Sequence, residues 1–547
     1  MNSSRNNAMG SQPSPKIEQE ARLAFDQVAH TQLTPEQFAA LEERLVGDAA
    51  FRQAYVEQAD LEAELEYQLR TTPPVAISSG SLAERRWPLT FAIALSLMLF
   101  SGLLSVLFIK PVRQIVFDSS MPAFTESQLS GSRPVAIVIS RSEASQDDAQ
   151  PLSVGDRLKP GILRLDRGQL QLEFASGVRV QMTGPAELHL ISEIEASLVS
   201  GQTSVLTPPE TKHFYLNGPV SAIANGSSEF IYRVQAKDVG SLDVYRGEVM
   251  ASLLGENGDT LLNEQVTADH SAIFHGTSLD VKTAAFAESD RVSAMPIDDV
   301  SSYSTEDYAA LIQQDKPLVY WRFEPGDLDG NLVRNHMSDR YAGELHLAND
   351  NSMAMNRGTL QFGPSPEQRY LKLNEPIPGF NQGEFTIEFW VRVERLHWGT
   401  FLGVLPIEQD DPTKETHLCL LEYANRTNLV HRPATIRMLY RYPAKTFHGG
   451  MNAFSPNSCV PGLWTHVVAV KTNNGTHLYV NNQHKVIFDE LRFDDDSPYT
   501  VVVGQLDSAR PLRQFEGQID EIAIYNKALT PEQIKRHYEA MTGSPST

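Results

Sequence analysis

Residues 384–393 read Glu-Phe-Thr-Ile-Glu-Phe-Trp-Val-Arg-Val. Phe385, Ile387, Phe389, Val391 and Val393 alternate with Thr386, Glu388, Trp390 and Arg392. Successive side chains of a strand point to opposite faces, so the run predicts a strand with one face in a core. The same pattern returns in Trp464 to Val470 and in Leu478 to Val480, and Asn481-Asn482 tolerates the positive φ of a tight hairpin turn. Repeated strands of this kind predict a two-sheet jelly-roll sandwich over residues 305–542. At its end Thr530-Pro531-Glu532-Gln533 carries a capping box that opens a short helix, whose Ile534 and Tyr538 pack back on a sheet.

Working outward, residues 283–304 are polar and aperiodic and read as a linker. Residues 133–282 are β-rich: Leu170–Phe174 and Val178–Met182 alternate around Gly177 as a hairpin, and Ala186–Leu190 and Leu242–Tyr245 add further short strands. Residues 87–109, WPLTFAIALSLMLFSGLLSVLFI, hold no charge, and 23 residues at about 1.5 Å each cross a hydrocarbon core of about 30 Å. They predict one transmembrane helix, followed by a juxtamembrane linker over 110–132. Arg70, Arg85 and Arg86 before the span against Lys110 and Arg113 after it do not settle the orientation by charge alone; with that three-to-two split and with both cysteines in the C-terminal part, the expectation is residues 1–86 in the cytoplasm and 110–547 outside. Residues 1–86 predict a small all-α module in which Phe38, Leu41 and Leu45 share one helical face and Phe51 and Tyr55 share the next.

The 547 residues carry 46 Lys plus Arg against 68 Asp plus Glu, a net charge of −22, which argues against nucleic acid as a partner. Two cysteines are too few for a disulfide scaffold.

The β-rich stretch resembles the FecR domain. The likeness is carried by Leu152-Ser-Val-Gly-Asp-Arg-Leu158 with Pro160-Gly-Ile-Leu163, by Phe174-Ala-Ser-Gly-Val-Arg-Val180, by Met182-Thr-Gly-Pro-Ala-Glu-Leu188 and by Ala196-Ser-Leu-Val-Ser-Gly201. It departs at Asn217-Gly-Pro219 and at Asn225-Gly-Ser-Ser-Glu-Phe230. Residues 305–542 resemble the bacterial jelly-roll branch of the concanavalin A-like LamG family, through Pro317-Leu-Val-Tyr-Trp-Arg-Phe-Glu324, Phe385–Val393, Trp464–Val470, Leu478–Asn482 and Gly517-Gln-Ile-Asp-Glu-Ile-Ala-Ile-Tyr-Asn-Lys-Ala-Leu529. Residues 33–65 resemble the cytoplasmic anti-sigma segment of FecR-like membrane regulators, which implies that Phe38, Leu41, Leu45, Phe51 and Tyr55 face a core or a sigma-factor partner.

Taken with the span, the resemblances imply a single-pass bacterial inner-membrane protein of signal transduction, a FecR-like regulator of a sigma factor. Its β-sandwich would bind a glycan or an envelope protein in the periplasm. The alternative is an envelope adhesion or glycan-binding protein without a signalling role. Fold alone does not give function, since concanavalin-like sandwiches host lectins, glycan hydrolases and structural modules. Hydrolysis in this fold needs paired carboxylates, and strand parity puts Asp520 with Ile522 and Ile524 but Glu521 on the opposite face, so the expectation is no enzyme, no catalytic residue and no required cofactor. Asp520 on an apolar face needs a partner, either backbone N–H groups of a neighbouring loop or a calcium ion. Cys419 and Cys459, in a domain placed outside the cytoplasm, form a disulfide candidate, with two separate buried thiols as the alternative.

Overall fold

The computed structural model describes Arg44, Phe51 and residues 134–286 and 305–543, apart from 146–151, 237–238, 255–259, 348–354, 357, 364–368, 408–415, 426–432, 445–449, 489–495 and 507–512. The span at 87–109, and Phe38, Leu41, Leu45 and Tyr55, lie outside the described residues. Arg44 and Phe51 are helical, with the guanidinium 3.9 Å from the centre of the buried ring. No helix among the described residues is long and apolar enough to cross a membrane.

Residues 136–283 form a 14-stranded, almost wholly antiparallel sheet. The predicted hairpin is present: Arg167–Phe174 pairs with Arg179–Ser192, Leu172 opposite Val180, and Gly177 takes φ +83° in the turn, a region that favours glycine. The two segments read separately as Val178–Met182 and Ala186–Leu190 belong to that one long strand. Gly184 lets it continue, because a Cβ there would stand 2.7 Å from the backbone nitrogen of Arg167. Leu170, Leu172, Phe174, Val180, Met182 and Leu188 fill its core.

Residues 305–543 form a sandwich of an eight-stranded and a nine-stranded antiparallel sheet. At the centre of the first, Phe385–Val393 lies between Trp464–Thr472 and Gly517–Tyr525. At the centre of the second, Gly399–Pro406 lies between Tyr499–Val503 and Cys419–Ala424, followed by Thr435–Tyr440 and Met451–Phe454. Phe385, Ile387, Phe389, Val391 and Val393 meet Val404, Leu421, Tyr423, Ile436 and Met438 between the sheets, as the alternation predicts.

Two helices cover the outer face of the eight-stranded sheet. Helix α1 (Thr305–Gln314) was not foreseen from sequence; its short apolar edge of Tyr308, Ala309 and Ile312 gives little periodic signal. Helix α2 (Pro531–Thr542) has the predicted capping box, with Thr530 accepting from the Gln533 N–H and Gln533 accepting from the Thr530 N–H. Beneath them Glu388 accepts hydrogen bonds from Tyr308 at 3.0 Å and lies 2.8 Å from His466 Nε2 and 3.0 Å from His537 Nδ1. The other nitrogen of His537 lies 3.0 Å from Asp315. Trp390 lies in the same layer, 3% exposed, stacked on His466 and on Tyr538 of α2, so it is a packing residue.

The parity expected for Asp520 and Glu521 is corrected. Pairing with Phe385–Val393 shifts register between Glu388 and Trp390, and Glu521 takes φ +53° in the bulge. One extra residue reverses the alternation beyond it. Ile519, Ile522 and Ile524 therefore face the inter-sheet core, while Asp520 stands opposite Trp390 and Glu521 bonds the Tyr320 hydroxyl. Both carboxylates face outward, on the same side.

The cysteines are two free, buried thiols, which corrects the disulfide expectation. Cys419 pairs with Tyr440 at one end of Thr435–Tyr440, whereas the Cys459 N–H donates to Ala434 at the other end, six residues or about 20 Å along a strand. Burial pushes each thiol up to about 12. Neither should react with a thiol reagent at pH 8 in the folded chain, and both should react in denaturant without prior reduction; fast labelling of the native protein would contradict this placement.

The two β domains meet along a polar seam. Glu173, fully buried, bonds Arg179 at 2.8 Å and accepts from the Leu396 N–H, and Arg179 donates to the Glu394 carbonyl. Arg157 donates to the Pro433 carbonyl at 2.9 Å, Asn425 to that of Ala175 at 3.0 Å and Ser458 to that of Gly155 at 2.8 Å. Ala136 and Val138 face their own core, while Ile137 and Ile139 join the jelly-roll cluster.

Candidate ligand-binding face

The outer face of the nine-stranded sheet carries a row of polar side chains in otherwise apolar strands. In Cys419–Ala424 the residues Cys419, Leu421 and Tyr423 face the core, which turns Glu422 outward; in Thr435–Tyr440, Ile436, Met438 and Tyr440 do the same for Arg437. Register then places Thr400, Glu422 and Arg437 directly abreast on three neighbouring strands. Glu422 is fully buried. Its Oε2 accepts from Arg437 Nη1 at 3.0 Å, and its Oε1 accepts from Arg513 Nη1 at 2.7 Å and from Trp398 Nε1 at 3.2 Å. A carboxylate whose two oxygens accept from two guanidiniums and an indole N–H is held in one orientation.

Arg513 also lies over the Trp398 indole, 4.3 Å from the ring centre, a cation–π contact that fixes the half-buried ring from one side. Arg437 donates Nε–H to Asn452 at 2.7 Å. Two of the buried polar atoms without a hydrogen-bond partner among the described residues lie here: the hydroxyl of Thr400, in the row itself, and the side-chain nitrogen of Gln514, next in sequence to Arg513. Such a group costs about 1–3 kcal/mol if left unsatisfied.

Of the residues singled out from sequence, none lies in this row. Phe38, Leu41, Leu45 and Tyr55 are outside the described residues, and Phe51 is buried beneath Arg44. Asp520 and Glu521 belong to the other sheet. Burial raises Asp520 well above the usual carboxylate range, with the charge of Glu521 adding to it, and burial pushes Glu521 up to about 7 against the pull of Arg322 and the Tyr320 hydroxyl. Asp520 accepts the Glu521 N–H at 2.8 Å, so its partner is the bulge itself and not a neighbouring loop. Among the described residues no group of three or more His, Cys, Asp and Glu side chains is placed to hold a metal ion. The signals missed were single charges inside apolar runs, Glu422 in Cys-Leu-Leu-Glu-Tyr-Ala and Arg437 in Thr-Ile-Arg-Met-Leu-Tyr. Their pairing depends on cross-strand register, which strand composition does not contain.

Residues 365–535 match the family model of the concanavalin A-like lectin/glucanases superfamily, and the chain carries a domain of that class there. The binding domain of botulinum neurotoxin serotype D is similar at a TM-score of 0.30 and 15% identity, over 43% of this chain and 52% of that one. The chain thus spans about half the length of that protein. A heptameric SAP-like pentraxin from Limulus polyphemus is similar at 0.26 and 16%, over 32% and 78%. Domain 4 of AbnA, an arabinanase of Geobacillus stearothermophilus solved with arabinotriose, is similar at 0.27 and 17%, over 41% and 98%. No curated protein matches the chain.

Proposed function

We propose that the jelly roll is a carbohydrate-binding module that holds its ligand on the outer face of the nine-stranded sheet without hydrolysing it. The observation that carries this reading is the half-buried Trp398 ring, braced by Arg513 and Glu422 at one end of a row of polar side chains that includes the unpartnered Thr400 hydroxyl. A sugar ring offers an apolar face for the indole and hydroxyls for the polar side chains of the row. Binding without cleavage is supported by the contacts of Glu422. A glycosidase needs one carboxyl protonated as acid beside a second carboxylate, whereas both oxygens of Glu422 accept from cations or the indole N–H. On a glycan array the full-length chain should bind, and Trp398→Ala should weaken binding at least tenfold. Trp398→Phe, which keeps a ring, should retain most of it. A folded Trp398→Ala protein that binds like the parent would sink the reading.

In a second reading, a single-pass envelope sensor that controls a sigma factor, a signal would run along the path from this face to the first β domain. Five consecutive residues make the connection. Glu394 and Leu396 bond the seam, Arg395 pairs with both Glu210 and Glu516, the His397 ring accepts from the Glu516 N–H, and Trp398 reaches Glu422. A ligand that moves Trp398 pulls on a segment hydrogen-bonded to the neighbouring domain. Capture of the host's sigma factors by residues 1–86 tests this reading; if none binds, the adhesion or glycan-binding reading stands alone.

A further inference from the structure

In the eight-stranded sheet, Gly475–Val480 pairs with Gln483–Phe488 as a hairpin. Leu478 and Val480 point into the inter-sheet core, which turns His477 and Tyr479 to the outer face, and register sets His484 directly opposite Tyr479 on that same side. Both histidines reach solvent, His477 half-buried and His484 exposed. His477 Nδ1 lies 3.1 Å from His484 Nε2, while the ring centres are 5.2 Å apart and the planes 4° from parallel, so the rings meet through their nitrogens and not their faces. The Tyr479 ring lies against His484 with centres 4.3 Å apart.

Thr472 decides where the protons sit. Its hydroxyl donates to the Gly475 carbonyl at 3.2 Å and accepts the Asn474 N–H at 3.3 Å, so to His477 Nε2, 3.3 Å away, it offers a lone pair. His477 therefore carries its proton on Nε2, and its Nδ1 lone pair accepts from His484 Nε2–H. Burial lowers both imidazoles from their ordinary value, and at His477 the charge of His484 adds to this against the pull of Glu384, so neutral rings prevail above pH 6.5. Shifting one proton, from Nε2 to Nδ1 of the exposed His484 ring, leaves two lone pairs 3.1 Å apart. Two nitrogens bound to one ion at about 2.0–2.1 Å, at angles between square and tetrahedral, stand about 2.8–3.4 Å apart. We propose that His477 Nδ1 and His484 Nε2 chelate a divalent ion of the zinc, nickel and copper class, with a small turn of the exposed His484 ring bringing the lone pairs together and water filling the remaining positions. Imidazole suits these ions, whereas calcium and magnesium take oxygen ligands. The Thr472 hydroxyl is the outer partner that fixes the tautomer of a ligating histidine.

The test titrates the full-length chain, first stripped with a chelator, with zinc, nickel or copper chloride in a calorimeter at about pH 7.5. The expected result is a saturable equivalent, tightest for copper, that weakens at least tenfold at about pH 5.5, where protons compete for the nitrogens. The chain holds 15 histidines, so variants assign the site. His484→Gln, which alters an exposed side chain, should weaken that equivalent at least tenfold, and His477→Gln should do the same. An equivalent unchanged in folded His484→Gln would place the ion elsewhere in the chain and overturn the proposal, as would the absence of any saturable equivalent for all three ions. Displacement of the bound ion by an equal concentration of calcium chloride would overturn the assignment to imidazole nitrogens.

Discussion

Glu388→Ala should destabilise the jelly roll by about 3–5 kcal/mol, the usual cost of removing one member of a buried ionic cluster. Glu388, His466 and His537 are all fully buried, and the carboxylate is where Tyr308 of α1, His537 of α2 and His466 of the sheet converge. Burial alone would raise the Glu388 carboxyl, but the charge of His537 and hydrogen bonds from His466 and His537 reverse this and hold it well below the usual range. For His537, burial would lower the imidazole, and Glu388 and Asp315 raise it instead. The two signs set a pH window. A depressed Glu contributes stability that is present above its unfolded value of 4.5 and lost as pH falls through its folded value; a raised His contributes stability that is complete below its unfolded value of 6.5 and lost as pH rises through its folded value. The contribution is therefore greatest between those two values and declines on the alkaline side. Thermal melts of the full-length chain should show a drop of roughly 10 °C for Glu388→Ala. The parent should also lose stability as pH rises above the histidine range, and the variant should lose less. A variant that melts within a degree or two of the parent would mean that the helices are held by packing alone.

Glu173→Ala should open the seam between the β domains. Burial pushes the Glu173 carboxyl up, more than the charge of Arg179 and the Leu396 N–H pull it down, so the ion pair is itself expensive to bury. What the alanine removes is the counter-charge of Arg179 and the acceptor of the Leu396 N–H, leaving both inside the seam at a cost of about 3–5 kcal/mol. Glu173→Gln keeps an acceptor for that N–H and should be milder. Hydrogen exchange by mass spectrometry should show loss of protection over residues 394–398 in the alanine variant. Unchanged protection there would show that the seam does not depend on this carboxylate, and would weaken the path from Trp398 to the first β domain.

The parts legible from sequence are those with a local cause. Alternation in Phe385–Val393 determined a strand and its buried face, Gly177 a turn, and Thr530 with Gln533 a helix start, because side-chain period, positive φ and capping are properties of a few adjacent residues. The same logic failed at Asp520 and Glu521. A bulge inserts one residue into the count, and whether it forms depends on the partner strand; so two carboxylates assigned to opposite faces stand on one. It also left open whether Cys419 and Cys459 bridge, which the separation of the two ends of Thr435–Tyr440 excludes.

By itself, then, the sequence determined a β-sandwich with its core residues, a second β-rich domain before it, and an acidic chain. Only the tertiary structure decided that Trp390 packs under α2, that Glu422 meets Arg437, Arg513 and Trp398, and that Glu173 locks one domain to the other. These contacts join residues between 15 and more than 220 positions apart. The energy of each charged pair depends on distance and burial, which are set by strand order and register; a charge inside an apolar run announces that a partner exists without saying which.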